Sequence, residues 1–428
     1  MPPIQDYPSR YALVNELHAR PAPKITVPGV AVFVALKPER DAAKRDRNRD
    51  RAHLLSLLDR HGAGHPAPGA THHSADLGRH HVKWESHTEF VTYTAFEQGH
   101  ATRAFDPATF DVFPEAWLNE SQGKRLTSIL FQIEEMHDDP KVMVEKLLDW
   151  FVPESLAASY VIDQSAIIAS DFRIDRAGHV RMAVFVKRGT GGRRVGRIIQ
   201  RLCEIETYKT ISMLGLMRSR DLSPKMAELD DQLSKMTRAM KQPESQSAET
   251  LDALLSISSE LENMMVETSF RFGATGAYEA LVHQRIDVLR EERFNGRQTL
   301  HEFMTRRYDP AMRTVKSAEA RLTKMAERAM RAGQLLGTRV DVERSAQNQA
   351  LLASMDKRAD MQLRLQNTVE GLSVVAISYY AVNLVAYVAM PVLMEPLGIS
   401  RGVGMAILAP LVVMGVWGMV RRIRHHFE

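Results

Sequence analysis

The sequence predicts an α+β domain followed by long helices and a C-terminal pair of membrane-spanning helices. Three observations carry this reading. Two long apolar runs without a charged residue fill most of the last sixty residues. Short, strand-like apolar runs are spread over the first 190 residues. Beyond Gly189 the pattern is almost entirely helical. The corresponding division is an α+β domain over 1–220, a helical region over 221–309, a long stalk helix over 310–370 and a transmembrane hairpin with a basic tail over 371–428.

Val30 to Leu36 (VAVFVAL) reads as a strand, and a charged helix is predicted from about Glu39 to Arg60. Residues 62–79, rich in Gly, Pro and His, read as a loop. His81–Glu85 and Glu89–Phe96 read as a hairpin, with further strands at Ser128–Glu134, Ala166–Ile174 and Val180–Lys187, the last two joined around Arg176-Ala177-Gly178. One helix is predicted from Arg193 to Met217, a second from Ser223-Pro224, and a third after the polar break at 241–250. Asp309-Pro310 is a start signal, because aspartate caps a helix and proline in its first turn sacrifices no hydrogen bond. Val315, Ala318, Leu322, Met325, Ala329, Ala332 and Leu336 then recur in steps of three and four, a seam expected to pack against copies of itself. No proline interrupts the run until Pro391, so a helix over 311–393 would be about 120 Å long.

Residues 371–393 and 402–420 are each long enough to cross a bilayer core as a helix, and the connection at 394–401 is short. Arg421, Arg422 and Arg424 follow the second run, and Lys357, Arg358 and Arg364 precede the first. Positive charge stays on the cytoplasmic side, so both termini are expected inside. The N-terminus has no apolar signal-peptide core. The chain is therefore expected in a membrane, with the lipid bilayer as its first partner and most of its length cytosolic.

Composition narrows the function classes. The chain has 428 residues and a net charge of +4, from 56 basic and 52 acidic side chains. That excess is too slight to argue for nucleic acid. The single cysteine, Cys203, cannot form an internal disulfide. No serine or cysteine nucleophile can be assembled with a base, so the reading is of a non-enzyme, with no cofactor implied.

Three groups of residues remain as sites. Asn383 lies within the first apolar run, with Tyr379 and Tyr387 four residues to either side and Tyr380 three before it, all on one helical face. Polar groups in lipid face protein or water. The asparagine therefore reads either as a hydrogen bond between helices or, in a homo-oligomer, as a pore lining for a cation, a divalent one included. Gly189-Thr-Gly-Gly-Arg-Arg-Val-Gly follows a strand and opens a helix, which makes Arg193, Arg194 and Arg197 anion-binding candidates, although the segment lacks the Lys-Ser/Thr ending of a phosphate loop. Arg201 extends that basic stretch. The third group is seven histidines between His61 and His87, irregularly spaced and without a clear metal-ligand set.

ELHARP (16–21), QRLCEIETYKTISMLGL (200–216), LHEFMTRRYDPAMRTVKS (300–317) and the segment from Leu351 to Tyr380 resemble the signatures of a bacterial family of uncharacterised membrane-anchored proteins, found mainly in proteobacteria. That resemblance spans essentially the whole chain and implies an inner-membrane protein. It implies no activity. The layout is also similar to that of CorA-type magnesium channels, which implies a cation channel or transporter gated by its cytosolic domain. Those channels carry Gly-Met-Asn at the outer end of the first span, where this chain has Ala389-Met390-Pro391-Val392-Leu393. Without transport, the same layout reads as a membrane-anchored scaffold or sensor.

Overall fold

A computed structural model describes residues 4–11, 13–14, 22–99, 103–240, 247–389, 392 and 400–427. The chain divides into two compact units, Met1–Glu244 with Asp252–Ala332, and Ser245–Leu251 with Gly333–Glu428.

The first unit is built on a nine-stranded sheet among the described residues, in the order β2-β3-β4-β1-β5-β8-β7-β6-β9. Its central strand β1, Gly29–Lys37, is buried at every position but the last, because both faces of the sheet are covered. Helix α1, Arg47–Arg60, starts later than predicted; the Asp46 side chain accepts the Asn48 N–H at 2.9 Å and sets the boundary. The predicted loop at 62–79 contains strand β2, His72–Leu77. It pairs with β3, His80–Ser86, around Gly78, and β3 pairs with β4, Val91–Gln98. As an edge strand, β2 needs few apolar residues, which is why its sequence HHSADL reads as a loop.

Helix α2 is Glu115–Asn119, strand β5 is Lys124–Glu135 and helix α3 is Pro140–Trp150. Strand β6, Ala157–Val161, is an additional strand. Strand β7, Ala166–Ser170, is shorter than predicted, with Ile174 keeping only an isolated bridge to Val180 of β8, Val180–Val186. The pairing of β5 with β8 is parallel, and the other pairings are antiparallel. Strand β9, Glu292–Arg293, joins the far edge from 130 residues downstream of β6.

One sheet face is covered by the apolar side chains of α1, α2 and α3, among them Leu54, Leu57, Trp117, Met143 and Leu147, which cluster with Val32, Val34 and Leu130 of the sheet. The other is covered by helix α4, Gly192–Ala239, whose Val195, Ile198, Ile199 and Leu202 are buried. The break predicted between Met217 and Ser223 is absent, and α4 runs through Pro224. The ring is exposed, and the buried Leu222, Met226 and Leu229 keep the turn packed.

Two long helices, with a short one between them, follow α4. Helix α5, Ser247–Asp287, runs antiparallel to α4, with Gly215 against Thr275, Arg218 paired with Glu267 at 2.7 Å and Lys225 paired with Glu260 at 3.0 Å. Helix α6, Leu300–Arg307, opens on a capping box formed by Thr299 and Glu302, and is followed after Tyr308 by helix α7, Asp309–Ala389. Tyr308 and Ser212 of α4 share a buried hydrogen bond of 2.8 Å. Arg321 and Arg328 of α7 pair with Asp230 of α4, and Lys316 pairs with Glu279 of α5.

These contacts correct the expectation for the apolar seam. Val315, Leu322, Met325, Ala329 and Ala332 are already buried within this one chain, and Ala318 is half-buried. The helices α4 and α5 occupy the face that copies of α7 were expected to cover.

In the second unit, α7 is exposed at every residue from 341 to 369 and continues to Ala389; helix α8 is Arg401–Phe427. Two stretches are long and apolar enough to cross a membrane. One lies within Leu300–Ala389, with a mean hydropathy of 1.7, and the other is Arg401–Arg422, with a mean hydropathy of 2.2. Only 6% and 11% of these windows are buried, which separates them from core helices of a soluble protein. Most of the predicted connection, 394–399, together with Met390, Pro391 and Leu393, lies outside the described residues.

Candidate functional site: a basic groove at the start of α4

Strand β8 ends at Val186, and the chain turns through Lys187, Arg188, Gly189, Thr190 and Gly191 into α4. Lys187 donates its backbone N–H to the Ser165 carbonyl at 3.0 Å, and the Thr190 hydroxyl donates to the same oxygen at 3.2 Å. Gly189 adopts a φ of 85°, the left-handed conformation that this tight turn needs. The turn and the first two turns of α4 form an open groove of about 580 Å³, lined by Asp163, Ser165, Lys187, Arg188, Gly189, Thr190, Gly191, Arg193, Arg194 and Arg197.

The electrostatics of the groove are one-sided. Five cationic side chains and one carboxylate line it, and that carboxylate, Asp163, is held by Arg290 at 2.8 Å. Arg188 reaches Glu135 at 3.4 Å, with both side chains largely in solvent. Arg193, Arg194 and Arg197 are exposed and form no ion pair among the described residues. Arg201, one turn further on, is held below its ordinary pKa, first by burial and then by the charge of Arg197. Arg285 nearby is bound to Glu204. The cap residue of the helix, Gly191, has no side chain to satisfy the first N–H groups. A positive helix end and unpaired guanidinium groups can together bind phosphate or another multivalent anion.

Two of the glycines serve packing. A Cβ on Gly196 would lie 1.8 Å from the Pro23 carbonyl oxygen, and one on Gly192 would lie 2.5 Å from that of Ile25. The Ile25 N–H donates to the Gly192 carbonyl at 3.1 Å. The glycine pattern thus lets residues 23–25 lie against α4, whereas Gly189 makes the turn.

The second predicted group lies in the second unit. Tyr379, Tyr380 and Tyr387 are all exposed, and Asn383 donates its Nδ2–H to the Tyr379 carbonyl of its own helix at 3.0 Å. The four side chains share a face of α7, as predicted, and the structure of one chain brings no further polar group to it among the described residues.

The histidines do not form a centre. His65 pairs with Asp59 and His81 with Asp76, both at 2.6 Å, while His80 faces Glu97 at 3.2 Å. No group of three metal-ligating side chains occurs among the described residues. ELHARP lies outside them. Lys187, Arg188, Asp163 and Ser165 were not among the groove residues expected from the sequence. Basic residues at the exit of a predicted strand were the available signal for the first two; sheet pairing alone brings in the other two.

Compared with known proteins, residues 5–427 match the family described as protein of unknown function, DUF3422. No curated protein and no solved structure matches the chain, and the resemblance to CorA-type channels is not confirmed.

Proposed function

Because the chain belongs to this family of proteins of unknown function, its own residues must carry the reading, and we propose that it is a membrane-anchored sensor that binds a phosphate-bearing anion in the basic groove. In this reading α7 and α8 cross a bacterial inner membrane as a hairpin, both termini are cytoplasmic, and the sheet unit lies in the cytosol. The bare apolar windows of the two helices and the basic residues Arg421 and Arg422 support the anchor. The observation that carries the binding function is the set of three arginines, Arg193, Arg194 and Arg197, without an ion-pair partner among the described residues, around a helix start with no side-chain cap.

Calorimetric titration of the detergent-purified chain with inorganic phosphate, pyrophosphate and ATP tests this. Binding should weaken with salt. The Arg193→Ala/Arg194→Ala/Arg197→Ala variant should lose at least about tenfold in affinity, since each charge-assisted hydrogen bond contributes about 1.5–3 kcal/mol. No heat with any of the three anions at millimolar concentration, or identical binding by the variant, refutes the reading.

A second reading, cation transport through a ring of copies, is supported by the Asn383–tyrosine face. The groove is complete within one chain, whereas a path would need several chains, which is why sensing is placed first. Flux into liposomes decides the matter: transport predicts uptake of a monovalent or divalent cation above empty vesicles and its loss in Asn383→Leu. Uptake no greater than in empty vesicles ends that reading.

A further inference from the structure

Along α7 a less exposed stripe runs through Val374, Ser378, Val382 and Ala386, each four residues from the next, and Asn383 beside it is half-buried between exposed tyrosines; on α8 the corresponding stripe is Gly404, Leu408, Val412 and Val416. Ser378, Gly404 and Leu408 are the buried residues of these stripes, which is the burial expected where two helices pack together. At about 100° per residue, Asn383 lies roughly 140° around α7 from Ser378, with Tyr379 and Tyr387 about 40° to either side of it. The Asn383 carboxamide spends one donor on its own helix, and its Oδ1 accepts no hydrogen bond among the described residues.

We propose that this face is a contact between copies of the chain, in which Asn383 side chains hydrogen-bond to one another across the symmetry axis. The inference rests on the reading of α7 as a membrane span. Lipid tails offer no donor to a carboxamide oxygen, and leaving that acceptor bare in hydrocarbon is costly. A second copy meets the requirement without further design. Identically anchored chains hold Asn383 at the same depth, a symmetric contact brings residue against like residue, and a carboxamide is donor and acceptor at once. The stripe on α7 is centred about 120° around the helix from Asn383, so the pairing leaves it intact.

Disulfide trapping in native membranes tests the contact, in a Cys203→Ser background. Single cysteines at Ala376 or Tyr387 lie on the Asn383 face; single cysteines at Val382 or Ala386 lie on the α8 seam. Oxidation should give covalent dimers from the first two and not from the second two. Adding Asn383→Leu to the Tyr387→Cys chain should weaken dimerisation about three- to twentyfold, the range of interhelical hydrogen bonds in membranes, while Asn383→Gln should restore most of it. Alkaline extraction of the same membranes separates the two levels of inference. A chain that stays in the pellet but gives no dimers, or gives them equally from all four positions, overturns the pairing and leaves the anchor standing. A chain released by alkali overturns both.

Discussion

Gly196 sits where one carbon atom decides whether the segment at 23–25 can lie on α4. Its Cβ would overlap the Pro23 carbonyl oxygen, far inside van der Waals contact, so either the segment or the helix must shift. Gly196→Ala should therefore destabilise the chain by about 1–3 kcal/mol, as overpacking does, and urea unfolding of the purified chain should show a lower midpoint. Gly276, in the interior of α5 with nothing within 4 Å of an added Cβ, is the control. Gly276→Ala should raise stability by about 0.5–1 kcal/mol, because it removes backbone freedom from the unfolded state. A decrease at Gly276 or no change at Gly196 contradicts this account. The arginines of the groove were legible in the sequence because they are neighbours along the chain. The reason for two of the glycines was not, since a partner 170 residues away leaves no local mark.

Helix α4 shows what periodicity conceals at the scale of an element. A proline following a serine reads as a helix start, yet Pro224 lies inside a 48-residue helix. Proline removes the hydrogen bond to the carbonyl four residues earlier and crowds it. Tertiary packing outweighs that loss here, because buried Leu222, Met226, Leu229 and Leu233 hold the helix from the other side. Pro224→Ala should restore the bond and raise stability by about 1–3 kcal/mol, read as a higher thermal midpoint. An unchanged or lower midpoint would mean that the proline shapes the helix in a way its neighbours depend on. The same local reading succeeded at β1, where both faces are buried and the apolar run is continuous. It failed at β2 and β9, edge strands whose pairing supplies what their side chains do not. The Thr299–Glu302 capping box was present in the sequence, and its signal was overshadowed by Asp309-Pro310 ten residues on.

For the whole molecule, the fold class and the two apolar helices were readable because composition changes abruptly near residue 371. Hidden from that reading was the identity of the partner for the seam over 315–332. A three-four repeat specifies that a helix packs, but the partner may belong to the same chain, and here α4 and α5 fill the place. The division of the chain at Ala332 also sets an order of events during synthesis. Every residue of the sheet unit precedes Gly333, and the first apolar run begins at Gly371, about 40 residues later. At about 5–20 residues per second, translation of that interval takes on the order of seconds. The sheet, with its edge strand β9 arriving last, thus has seconds to close before the apolar runs are complete; on the proposed reading of those runs as an anchor, the part they tether folds before the tether is made.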